Sequence, residues 1–135
     1  MSLKGFFIRF TVAYVVLLAA ITVTLGLFDI DAGSAGSIGA LAAAVTWSSF
    51  SFARINNRSF DREEKRYAVL GMVGINIVVQ VLGISVLVAA EPNRIAPGAM
   101  LFGILFAALA HGVLIWFFVG LAEKQFAQQA KTIGR

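Results

Sequence analysis

Cysteine is absent from this chain of 135 residues. Disulfides, thiol catalysis and thiolate metal sites are excluded with it. Histidine occurs once, so a multi-histidine metal site cannot be built, and no metal or other cofactor is expected. Charged residues make up only 13%, against about 25% in an ordinary soluble domain. Proline occurs twice, and both fall in one polar stretch between apolar runs, where neither interrupts a helix. No phosphate-binding loop, dinucleotide fingerprint or pocketed carboxylate pair is found, so the chain reads as not an enzyme.

Hydrophobic residues are abundant, at 59%, and the mean hydropathy is +0.87. The chain lacks the polar surface to coat a water-soluble globule of its size. The solvent that fits is a lipid bilayer, and the lipid bilayer is the first expected partner. Four apolar runs are visible, at about 10–28, 37–53, 67–89 and 99–122. A run of roughly 19 residues reaches about 28 Å as a helix, close to a hydrocarbon core of about 30 Å. The first run is longer than the roughly 7–15 residues of a signal-peptide core, so a retained span is favoured over a cleaved signal. The second is the least apolar and is rich in Gly, Ala and Ser, which suits a helix packed against protein.

Between the runs lie a turn at 29–36 carrying Asp29 and Asp31, a polar loop at 54–66, and a turn at 90–98. Residues 123–135 read as a short polar tail. In the loop, Asp61 and Glu64 have the spacing of a helix-capping box, and Asp61 and Lys65 that of an i,i+4 ion pair. Ten of the eleven basic residues fall before the first run, in the loop or in the tail; only Arg94 lies elsewhere. Positive charge is kept on the cytoplasmic side. The expected fold is therefore all-α: one integral membrane domain, an antiparallel four-helix bundle with both ends and the 54–66 loop inside. The net charge of +4 is explained by orientation, and nucleic acid is not an expected partner. The two hairpins echo faintly, with Gly39-Ala40-Leu41 and Gly98-Ala99-Met100 opening the second and fourth runs.

Hydrocarbon penalises buried polar groups, so those inside the runs are the candidate functional residues. Asn76 and Gln80 share a helix face four residues apart, His111 lies mid-way along the fourth run, and Thr46 lies in the second. They form either a solute path or interhelical hydrogen bonds that fix packing, and packing is favoured. Tyr14, Thr22, Thr24, Ser48, Ser49 and Ser51 are further polar groups. No acidic residue lies in any run, which argues against ion-coupled transport. Trp116 suits the membrane interface, whereas Trp47 falls deeper and is expected to pack internally. Small residues recur every four positions at Gly36, Ala40 and Ala44, at Gly103 and Ala107, and at Ala108 and Gly112, a spacing that lets helix backbones approach. In the loop, Arg54, Arg58, Arg62 and Arg66 recur every four residues beside Glu64. They fix topology or form a docking surface for a partner.

Gly36-Ser37-Ile38, then Phe52, five residues, Arg58, and Glu64-Lys65 leading to Gly71, resemble an uncharacterised family of small bacterial four-span inner-membrane proteins. Its pattern is a small-residue second span, a Phe, an Arg, and a Glu opening the third span. The resemblance covers residues 36–71 closely and the rest in layout; members often carry proline where this chain has Phe60. It implies a multi-pass protein of the bacterial inner membrane and no particular activity. The expected role is protein–protein interaction in the membrane, as an accessory subunit, assembly factor or immunity-type protein. The partner would be another membrane protein or the chain itself, as a homo-oligomer. The alternative is a small oligomeric transporter or channel using Asn76, Gln80 and His111.

Overall fold

The computed structural model describes residues 1–30, 33–90 and 97–133. Asp31, Pro92, Arg94 and Arg135 lie outside the described residues. Within them the chain is four helices and no strand: α1 (Leu3–Leu27), α2 (Gly33–Asn56), α3 (Arg62–Ala90) and α4 (Pro97–Ile133). Each is long and apolar enough to cross a membrane, the make-up of a small multi-pass membrane protein.

The helix ends follow local chemistry. The Ser2 hydroxyl accepts from the Gly5 N–H and caps α1. α1 stops at Asp29 (φ 54°), with the Asp29 and Ile30 N–H groups bonded back to Gly26 and Leu25. This is a left-handed C-terminal cap, at a residue type that tolerates that conformation. Asn57 (φ 51°) ends α2 in the same way, with the Arg58 N–H bonded to the Ala53 carbonyl. α3 opens on the expected capping box: the Glu64 N–H donates to Asp61 Oδ1 at 2.8 Å, and the Asp61 N–H donates to Glu64 Oε2 at 3.1 Å.

Several expectations need correction here, the first being the turn at 29–36, since α2 already begins at Gly33. Pro97 is the first residue of α4 rather than part of a turn, a position where its missing N–H costs nothing. The polar tail is no separate segment, because α4 continues to Ile133. Residues 123–132 are rich in Gln, Ala and Lys and contain no Gly or Pro, so nothing stops the helix. Lys65 does not pair with Asp61, whose carboxylate is used as a cap; its ammonium bonds Glu123 on α4 at 2.6 Å.

α2 packs against α1 and α4, and α3 packs against α4 and α1. The Asn56 side chain at the end of α2 bonds both the nitrogen and the carbonyl of Met1, and the start of α3 meets the later part of α4 through Lys65 and Glu123. α2 is the most enclosed helix, as its composition predicts: 44% of its span is buried, against 11%, 12% and 17% in α1, α3 and α4. Its small residues Gly36, Ala40 and Ala44 are buried, which brings backbones close. Trp47 is not packed internally as expected; it is 53% exposed. Trp47 falls between the buried pairs Ala44-Val45 and Ser48-Ser49 on the outward side of α2.

The core is lopsided. Among the described side chains, none is buried beyond Tyr14 on α1, beyond Asn76 on α3, or before His111 on α4. Tight packing is therefore concentrated in the half of the bundle that carries the 54–66 loop. There Phe6, Phe52 and Phe60 meet ring to ring, and the Phe7 ring lies against α3 at Gly71. A Cβ at Gly71 would fall 2.3 Å from that ring, whereas one at Gly74 would meet nothing. Gly71→Ala is expected to cost about 1 kcal/mol through overpacking. Gly74→Ala, which gains helix propensity without a clash, should be neutral or stabilising by up to about 1 kcal/mol. Unfolding of the two variants in detergent micelles checks the contrast, and equal effects would remove Phe7 from the argument.

Candidate functional site

Three of the four intramembrane polar candidates meet. Asn76 and Gln80 sit one turn apart on α3 and face His111 on α4. The Asn76 Nδ2 and Gln80 Nε2 atoms both lie 2.9 Å from His111 Nδ1. Carboxamide nitrogens only donate, so Nδ1 accepts and the neutral ring carries its proton on Nε2. The carboxamide oxygen of Asn76 is engaged by α1, where the Tyr14 hydroxyl donates to Oδ1 at 2.8 Å. Tyr14, Asn76 and His111 are 1%, 0% and 8% exposed. The result is a hydrogen-bonded chain from α1 through α3 to α4, at the boundary between the packed and the open half of the bundle.

Thr46 is not brought into this cluster. Its hydroxyl bonds the Ala42 carbonyl of its own helix at 2.8 Å, and its side chain lines a groove of about 570 Å³ between α2 and α4. Ser48 and Ser49 are buried with no hydrogen-bond partner for either hydroxyl among the described residues. Tyr14 is the member that sequence reasoning left out of the cluster. The signal was depth: Phe7 of α1 lies at the level of Gly71 of α3, and seven and five residues further on stand Tyr14 and Asn76.

The loop candidates divide. Arg58 and Glu64 form a two-pronged ion pair, with Nη1–Oε2 2.6 Å and Nη2–Oε1 2.8 Å. The Arg58 guanidinium also lies 5.8 Å from the centre of the Phe52 ring. Arg54, Arg62 and Arg66 are exposed. The Arg58 hydrogen bonds pull the Glu64 carboxyl down to about 2. Glu64 stands ahead of the apolar run that begins at Tyr67. A lowered carboxylate pKa stabilises the fold at pH above its unfolded value, about 4.3, and that contribution disappears as pH falls towards 2. The pair is exposed on the Arg58 side, at 52%, so solvent screening keeps its contribution small. Arg58→Gln should remove the part of the acid-induced loss of stability between about pH 4.3 and 2 that this pair causes. An unchanged acid profile would mean the pair does not form.

Among the described residues no group of three His, Asp or Glu side chains could hold a metal. What the intramembrane cluster can do is tie three helices together. What the loop presents is a row of arginines beside an internally satisfied ion pair. No family model, curated protein or solved structure matches this chain.

Proposed function

We propose that this chain is a non-catalytic, multi-pass protein of a bacterial inner membrane that works by binding another membrane protein or a second copy of itself. In this reading it is an antiparallel four-helix bundle with both ends and the 54–66 loop in the cytoplasm. The observation that carries the proposal is the interhelical hydrogen-bond network of Tyr14, Asn76, His111 and Gln80. A solute path needs polar groups left available to water. Here Tyr14, Asn76 and His111 Nδ1 are engaged by neighbouring side chains, and three of the four side chains are buried. Interaction is further favoured by the unpacked halves of α1, α3 and α4, which offer apolar faces such as Phe102 and Val86, 72% and 71% exposed. Arg54, Arg62 and Arg66 would extend the contact into the cytoplasm.

The lack of native cysteine gives a direct test. Single cysteines at Phe106 and Val86, on exposed faces of α4 and α3, are cross-linked in native membranes. A discrete adduct of fixed mass is expected, either twice that of the chain or that of one partner. No adduct, together with labelling of Gln80→Cys by a water-soluble maleimide, would replace this reading with the transporter alternative.

A further inference from the structure

Lys65 and Lys124 line a cleft of about 210 Å³ between the start of α3 and α4, together with Trp116, Phe117, Gly120 and Leu121. The Lys65 ammonium lies 5.2 Å from the centre of the Trp116 ring and bonds Glu123. That bond uses one of its three donors. Lys124 has no acidic partner among the described residues. Gly120 keeps the floor open: a Cβ there would meet only the Lys65 Nζ, at 3.8 Å.

We propose that this cleft binds the headgroup of an anionic phospholipid, with its phosphate between Lys65 and Lys124 and its acyl chain along α4. The cleft has the two ends an amphiphile requires. At its mouth are ammonium groups and an indole 51% exposed, the residue type enriched at membrane interfaces. Leading away from the lysines, Phe117, Val113, Leu109 and Leu105 are exposed at four-residue spacing, so they form one stripe. Those twelve residues span about 18 Å, enough to line one leaflet of a hydrocarbon core about 30 Å thick. A free phosphate would use the lysines and leave the stripe unexplained. Basic pockets between helices on the positive side of a membrane protein are suited to such lipids. The proposal rests on the bilayer placement and does not depend on any protein partner.

The test uses the full chain with Trp47→Phe, which leaves Trp116 as the sole indole. The protein is reconstituted in phosphatidylcholine vesicles with a minor share of brominated phosphatidylglycerol or brominated phosphatidylcholine, and Trp116 fluorescence is read. Brominated phosphatidylglycerol should quench more strongly at equal content. Lys124→Gln should cut that preference about fivefold, and Gly120→Leu, which fills the cleft without changing charge, should do the same with helix content intact. Equal quenching by both lipids in the parent overturns the site, as does a preference that survives both substitutions. Relief of quenching by added inorganic phosphate would overturn lipid as the occupant and leave a small-anion site.

Discussion

Phe52→Ala is expected to lower the stability of the folded bundle by about 3 kcal/mol, the low end of the range for removing a core phenyl ring. The low end applies because unfolded helices of a membrane protein remain in apolar surroundings, so less transfer free energy is lost. Phe52 is 1% exposed. Its ring stacks on Phe60 at 4.1 Å and meets the edge of Phe6 at 6.1 Å, and the Arg58 guanidinium lies over it. One side chain therefore joins α1, the end of α2 and the 54–66 loop. Its loss leaves a cavity that Phe60 can fill only by pulling the loop from the caps at Asn57 and Asp61. Phe50, two residues away, provides the control. It is half-buried beside an open groove and has one long ring contact, to Phe126 at 6.5 Å. Phe50→Ala should cost less than about 1 kcal/mol. Both variants are compared by unfolding in mixed micelles with increasing dodecyl sulfate. Similar losses for the two would show that the aromatic junction is not the centre of the packed half.

The same junction explains which parts of the molecule could be read in advance. The four helices were legible because apolar runs of bilayer length have few other solutions. The central place of α2 was legible from its small residues. The capping box at Asp61 and Glu64 was legible because it acts over three residues. Helix ends at α1 and α4 were placed too far inward, since residues 3–9 and 123–133 carry charges that interrupt the apolar runs yet contain no proline to end a helix. Spatial partners were harder. Phe52, Arg58 and Glu64 stood out as a pattern, but that Phe52 stacks on Phe60 and supports Arg58 depends on the left-handed turn at Asn57. Lys65 had a local acidic neighbour and a distant one, and the cap claimed the local carboxylate. Trp47 was misplaced because depth in a span says nothing of which side of the helix faces a neighbour. Asn76, Gln80 and His111 were identified because hydrocarbon penalises such groups wherever they sit. Tyr14 could be joined to them only by aligning two helices that are far apart in sequence.

Asn76→Leu is expected to cost about 2 kcal/mol, since leucine keeps most of the volume but removes two buried hydrogen bonds, each left-over group costing about 1–3 kcal/mol when unpaired. The lower part of that range applies because interhelical bonds within membranes average about 0.6 kcal/mol and reach about 1.7. The two groups are unequal. The Tyr14 hydroxyl loses its acceptor, whereas His111 Nδ1 keeps the Gln80 amide. Tyr14→Phe alone should thus cost about 1 kcal/mol, the net worth of one hydrogen bond. In the double variant the orphaned hydroxyl is gone, so the combined loss should fall short of the sum by about 0.6–1.7 kcal/mol. Strict additivity would mean that the Tyr14–Asn76 bond carries no energy. The cycle also separates the two uses of an intramembrane polar cluster. A network that serves packing loses stability when Asn76 is replaced, and Gln80→Leu should follow with a smaller loss through its single bond to the same ring nitrogen. A network that serves a solute would tolerate both substitutions in stability, because water already satisfies the groups.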